Sequence, residues 1–427
     1  MFDFFFRGDK VTEPKYAQRL IARIRESQPA QKLVYDEKSH MLAVGSAPAQ
    51  KIFLGNMFKD YLRAPQEERD GLLTRHAISC TASPAMPGAE ADYDRDVRPH
   101  LVPIVRSRAN AYAIQALDPA DYLEGASTPT PTPSSQPLLV GRQLGEDRTI
   151  HLAFDTEHMM SQVPASSLAE WGVDFERALS DALVNLRAAT VPRWEPMEGG
   201  FFRGNWNDSY DCSRLLLPEV FAGLPLDGRP VAVVSARQDI FVTSDRNPQA
   251  QLAMLRHARE RLDVNNRWCS GSLIVLEGEH WKPYASPDAA VRQAEATLCN
   301  IILSDAYGTQ KPVLEKAHAA EGSDIFVASF MAYQRQDASI FSICTYSEGV
   351  EALLPRTDRV VFLETNPDGS VKEPMLADLP WQTAHAIAGH LMEPVDTYPP
   401  RFRVRAFPDA AVREQLRAAA ARNAAAA

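Results

Sequence analysis

Chemistry-bearing residues are densest between Gly199 and Leu217, a stretch that reads GGFFRGNWNDSYDCSRLLL. Its first half is aromatic and glycine-rich, which suits a strand or a tight turn. Its second half puts Asp208 or Ser209 where a helix N-cap belongs and Asp211 in the first turn, and an apolar run then ends at Pro218. At i+3 spacing Asp211 is expected to pair with Arg214. Asn207, Asp208, Tyr210, Asp211 and Arg214 therefore form a candidate polar site. The same residue types also fasten a helix to a sheet, and capping alone accounts for most of them.

Other chemistries leave weaker traces. There is no H-E-x-x-H, and His385 and His390, five apart, would sit about 140° apart around a helix rather than on one face. Asp155, Glu157 and His158 are the densest possible metal ligands, but without a local histidine pair they read as a solvated turn. Neither a phosphate-binding loop nor a dinucleotide fingerprint occurs, and the glycines at 199, 200 and 204 lie in an acidic, aromatic stretch. No G-x-S-x-G elbow is present. Cys212, two residues before Arg214, reads as a small packing residue rather than a nucleophile. No metal or cofactor is expected.

Four stretches carry a resemblance: LVPIVRS (101–107), DFERALSDALVNL (174–186), FFRGNWNDSYDCSRLLLPE (201–219) and VAVVSARQDIFVTSD (231–245). In these the chain resembles the bacterial YtpQ-like family, a family of unknown function, over roughly residues 15–285. The family pattern is an aromatic strand, a helix start of the form Asp-x-Tyr-(Asp or Glu)-x-Ser-Arg-Leu-Leu, and a strand pair with Arg and Asp at the turn. It matches Asp208, Tyr210, Asp211, Ser213, Arg214, Leu215 and Leu216, then Arg237 and Asp239. The resemblance implies that Ser213, Arg237 and Asp239 join the candidate site. It implies no activity. The chain departs from the family in a Pro/Thr insertion, in Cys212, and in the region beyond 285.

Apolar spacing outlines the elements around this segment. A helix is expected over Tyr16–Arg25, with Leu20, Ile21 and Ile24 as its stripe, then β-like runs at Lys32–Tyr35 and Met41–Val44. Ile52–Leu62 has helical spacing, and Pro65–Arg75 continues as a surface helix. Cys80–Pro99 lacks periodicity and reads as a linker. Leu101–Arg106 is an expected strand, and TPTPTPSSQP (128–137) an extended insertion that can be neither helix nor central strand. Ser167 and Glu170 have capping-box spacing over a short helix ending at Gly172. Phe175, Ala178, Leu179, Ala182, Leu183 and Leu186 make the clearest amphipathic helix.

Hairpins are expected from Val231–Val234 with Ile240–Thr243 and from Ser272–Tyr284, separated by a helix over Gln249–Leu262. Helical stretches follow Pro287 to about Ala320; Ile325–Tyr333 pairs with Ile340–Tyr346, and Val360–Glu364 leads into the Asn366–Gly369 turn. An Ala-rich helix from Pro408 onward suits a loosely packed end. The fold class expected is α+β, helices on mostly antiparallel sheets in two or three domains: 1–97, 98–285 and 286–427.

Composition bounds the function. The 427 residues are 45% hydrophobic and 23% charged, an ordinary folded protein without a membrane-length apolar run. With 45 basic and 55 acidic residues the net charge is -10, so the overall field repels nucleic acid and anionic lipid. Five scattered cysteines point to reduced thiols in a cytoplasm. Phe2, Phe4, Phe5 and Phe6, with no basic stretch before them, read as aromatics folded onto the first domain rather than as a signal peptide. The expectation is a cytoplasmic, non-catalytic module that binds another protein or a small ligand, without nucleic acid or stable membrane insertion. The alternative is a hydrolase with Asp208 or Asp211 as base or metal ligand and Arg214 or Arg237 stabilising an anion. A third reading is an adaptor docking through its two ends.

Overall fold

Helix α1 (Glu13–Ser27) carries Pro14 in its first turn and buries Tyr16, Ala17, Leu20 and Ile24, the stripe its spacing predicts. The computed structural model describes residues 11–37, 40–45, 50–81, 86–115, 138–156, 160–206, 208–262, 268–368 and 370–425. The N-terminal phenylalanines, the Pro/Thr tract, Asn207, Glu157, His158 and Gly369 lie outside them.

Strands β1 (Leu33–Asp36), β2 (Met41–Val44) and β3 (Gln50–Phe53) form an antiparallel meander. Ile52 pairs with Leu42, so the helix expected from Ile52 starts later, as α2 (Gly55–Arg63). With α3 (Arg69–Thr81) these elements enclose one apolar core, in which the Tyr16 hydroxyl meets His76 Nδ1 at 2.7 Å. Part of the expected linker is folded: Asp92 caps a wide helical turn over Tyr93–Val97 that buries Tyr93 and Val97.

By backbone contacts the chain forms two compact units. One comprises Met1–Leu101, Ala116–Leu138 and Ala153–Asp174; the other comprises Val102–Gln115, Leu139–Leu152 and Phe175–Ala427. The next elements are β4 (Leu101–Ser107), α4 (Arg108–Gln115), β5 (Arg142–Leu144), β6 (Arg148–Asp155), β7 (Met160–Gln162), α5 (Ala165–Glu170) and α6 (Phe175–Ala189). The capping box expected at Ser167 does not form. Helix α5 starts three residues earlier behind Pro164, and Ser167 is buried within it.

In the second unit, β8 (Trp194–Met197), β9 (Phe201–Gly204), β10 (Pro230–Ala236), β11 (Asp239–Ser244), β12 (Ile274–Glu277) and β13 (His280–Pro283) form one antiparallel sheet of order β13-β12-β10-β11-β9-β8. Both expected hairpins are present, β10 with β11 and β12 with β13. Helices α7 (Pro248–Leu262) and α8 (Ala289–Glu321) supply the rest of its core, including Met254, Leu255, Val291 and Leu298.

The C-terminal part holds β14 (Phe326–Val327), β15 (Met331–Gln334), β16 (Ile340–Ser347), β17 (Ala352–Pro355), β18 (Arg359–Leu363), β19 (Ala377–Pro380), α9 (Trp381–Ala388), β20 (Glu393–Val395), β21 (Arg401–Val404) and α10 (Ala410–Ala425). The single strand expected over Ile325–Tyr333 is split between two sheets: β14 runs parallel to β17, whereas β15 pairs antiparallel with β16. β16 also runs parallel to β18. The fold is thus α+β, with mostly antiparallel sheets. Helix α10 is not loosely held. Leu416 is fully buried, and Arg413 reaches both Glu348 and Glu364.

No helix among the described residues is long and apolar enough to cross a membrane.

Candidate functional site

The helix expected after Asp208 is a short 3-10 turn over Asp211–Leu216, and no side chain caps it. Ser209 takes a left-handed backbone conformation at φ 68°, which turns the chain sharply before the helical residues. Asp208 Oδ1 accepts the Tyr210 amide at 3.0 Å, and both its oxygens accept from Arg214 at 2.6 Å. The expected Asp211–Arg214 pairing is therefore replaced by Asp208–Arg214. A 3-10 turn is narrower than an α-turn, and Asp211 Oδ1 is instead taken up by the Trp206 amide at 3.0 Å.

Arg214 is fully buried. Its Nε donates to Thr190 Oγ1 at 3.2 Å and its guanidinium lies 4.7 Å from the Trp206 ring centre. All three nitrogens of this guanidinium thus already donate to protein groups. Ser213 is also fully buried and accepts the Val105 amide at 3.2 Å. Asp239, at the β10–β11 turn, accepts from Arg261 Nε at 2.8 Å, with Arg203 3.8 Å away. Arg237 accepts the Cys212 amide on its carbonyl at 3.4 Å, tying the hairpin turn to the 3-10 segment. Tyr210 is buried. The candidate residues are thus neighbours that knit strand β4, the 3-10 turn and the β10–β11 hairpin together.

A cavity of about 280 Å³ opens elsewhere in the same unit, and none of the described candidates lines it. Its walls come from segments far apart in sequence: Ser107 after β4, Glu146 and Asp147 in the β5–β6 turn, Cys269–Ser272 before β12, one face of α8, Ser342 on β16, Arg356–Asp358 and Tyr398–Pro400.

Three anchors hold this shape. Cys269 and Ser270 extend the β10 ladder through their amides to Ser235 and Val234 at 2.8 and 2.9 Å. Gly271 then passes so close to α8 that a Cβ would lie 2.7 Å from the Cys299 amide nitrogen, which explains the glycine. Glu295 Oε1 accepts the Leu273 amide at 2.8 Å.

On the opposite wall, Asp147 Oδ2 accepts from Ser272 Oγ at 2.9 Å and from Ser270 Oγ. Arg148, almost fully buried, balances it: Nη1 lies 3.3 Å from Asp147 Oδ1, and Nη2 donates to Ser270 Oγ at 2.8 Å and Ser272 O at 3.0 Å. The third wall centres on Asp358. Its Oδ2 accepts from Asn300 Nδ2 and the Ser342 amide, both at 2.8 Å, and from Ser342 Oγ at 3.1 Å. Tyr307 donates to Pro400 O at 2.7 Å and accepts the Arg356 amide at 3.1 Å, fastening the last loop to α8.

Burial, reinforced by Asp147, pushes the Glu295 carboxyl up to about 7 although the Leu273 amide works the other way. Burial pushes the Cys299 thiol up to about 12, and also raises those of Cys212 and Cys269, so all three are held as thiols at neutral pH. The five cysteines form no disulfide. Among the described residues no group of three or more His, Cys, Asp or Glu side chains converges as a metal site.

No motif in the sequence announces this cavity. Its polar groups come singly from six or more segments, and only Cys269–Ser272, read CSGS beside an expected hairpin, hints at a tight turn. No family model, no curated protein and no solved structure matches the chain.

Proposed function

We propose that the protein is a non-catalytic binding module and that its ligand is a small molecule seated in the cavity of the second unit. The observation that carries this reading is a half-open cavity whose walls are fixed by hydrogen bonds. About 280 Å³ of space lies between hydrogen-bonded walls, close to the lower end of the range, roughly 300 Å³ upward, common for small-molecule sites. The walls mix apolar residues of α8, Ile302, Leu303 and Ala306, with polar groups fixed by their own partners. Such preorganisation lowers the ordering cost of binding.

The hydrolase alternative draws less support. The Arg214 guanidinium that would stabilise an anion is spent on Asp208, Thr190 and Trp206. A cytoplasmic location belongs to the same proposal, supported by five cysteines without a disulfide. So does kinship with the YtpQ-like family, which rests on the sequence stretches at 101–107, 174–186, 201–219 and 231–245 alone.

A thermal-shift screen of a small-metabolite library, run in parallel on the protein and on Ala306→Phe, tests the reading. Compounds that raise the melting temperature of the unaltered chain should lose that effect once the larger side chain fills the cavity. Hits that stabilise Ala306→Phe equally, or hydrolytic turnover abolished by Asp208→Asn, would overturn it.

A further inference from the structure

We infer that the ligand of this cavity is a small organic amine held as its ammonium ion, a reading that rests on the cavity being the binding site. Among the carboxylates that line the cavity, Asp147 is balanced by Arg148 at 3.3 Å, and Glu146 has Arg356 at 3.8 Å. Asp358 has no basic partner among the described residues; the adjacent Arg359 is turned to Asp378 at 2.8 Å. Asp358 is also exposed, so a ligand can reach it.

The hydrogen bonding of Asn300 and Asp358 also leaves acceptors unused among the described residues. Asn300 is only 4% exposed, and its Nδ2 donates to both Ile340 O at 3.1 Å and Asp358 Oδ2 at 2.8 Å. Both amide hydrogens are thus committed, which fixes the group and leaves Oδ1 as an acceptor without a donor among the described residues. Asp358 repeats the pattern: three donors converge on Oδ2 and none on Oδ1. A cation that brings several N–H donors would complement this pair of acceptors, and a primary ammonium brings three. The nearby apolar face of α8 at Ile302, Leu303 and Ala306 suits a short alkyl body. A carboxylate or phosphate would instead be repelled by Asp358, and a neutral alcohol would gain only a weaker hydrogen bond there than an ammonium does.

Isothermal titration of the full chain at pH 7.5 with n-butylamine, 1,4-diaminobutane, 1-butanol and butanoate tests the assignment. The two amines should bind and the alcohol and the acid should not. Asp358→Asn, which keeps an oxygen acceptor for Ser342, should weaken the amines about tenfold or more while leaving the circular dichroism unchanged. If Asp358→Asn fails to fold, n-butyltrimethylammonium on the unaltered chain addresses the same point. It keeps the charge and lacks N–H donors, and is expected to bind about tenfold more weakly than n-butylamine. Amines that bind equally well to Asp358→Asn, or a quaternary ion that binds as well as the primary one, overturn the inference. Binding of butanol or butanoate that Ala306→Phe abolishes overturns the amine assignment and leaves the cavity reading standing. Silence from all four probes overturns the amine assignment, and silence from the metabolite screen as well removes the cavity reading with it.

Discussion

Arg214 holds Asp208 with two hydrogen bonds of 2.6 Å while the arginine side chain itself has no contact with solvent. Six residues apart, the two are joined by a turn through Ser209 that no helix would make. A buried guanidinium is tolerable only when its charge is compensated, so this pair is read as what closes the 3-10 segment onto the sheet. Asp208→Asn keeps the acceptor for the Tyr210 amide and removes only the charge. Because Asp208 is 34% exposed and water screens part of the loss, urea denaturation should show a destabilisation of about 2–3 kcal/mol. Adding Arg214→Met should recover part of it, a non-additivity that a double-mutant cycle reads directly.

Close approach of the Cys269–Ser272 turn to α8 depends on a missing side chain. In Gly271→Ala the new Cβ would sit 2.7 Å from the Cys299 nitrogen and 2.9 Å from its Cα, both backbone atoms that cannot swing aside. The turn or the helix must move, at a cost of roughly 1–3 kcal/mol. The same shift displaces Ser270 and Ser272 from Asp147, so ligand binding should fall along with stability. Unchanged denaturation and unchanged titration in Gly271→Ala would show that the turn is free to move.

Glu295 should leave a signature in the pH dependence of stability. Its folded pKa, about 7, lies above the ordinary carboxyl value of 4.5, so between those values the folded protein holds a proton that the unfolded chain releases. Its contribution is therefore fully present below about pH 4.5 and is lost as pH rises through 7. Glu295→Gln keeps an oxygen for the Leu273 amide and has no charge to bury. It should match the unaltered protein near pH 4.5 and be the more stable by on the order of 2–3 kcal/mol at pH 8. Parallel melting curves across that range, with no widening gap, would contradict the assignment of the shift to burial.

Much of the architecture was legible along the chain. The stripe Tyr16, Leu20, Ile24, the hairpin around Ala236–Asp239 and the helix over Phe175–Leu186 are where spacing places them, because each depends on neighbours within about ten residues. The same local logic brought Asp208, Tyr210, Ser213 and Arg214 to attention together. It misplaced the ion pair because an i, i+3 rule presumes an α-helix, and the left-handed Ser209 followed by a 3-10 turn hands Arg214 to Asp208 instead. It also took the alanine-rich end for a loose one, since nothing local shows that Leu416 meets the core of β16–β19.

By itself, then, the amino-acid order determined the fold class, most helices and hairpins, the acidic balance and the presence of one dense polar segment. The cavity was decided only by tertiary structure. Asp147, Ser272, Asn300 and Asp358 are separated by tens to hundreds of residues, and each taken alone is an ordinary polar residue near a turn or on a helix. Their relation arises from long-range packing of α8 against two sheets, and a contact between distant segments leaves no periodicity for a sequence to display.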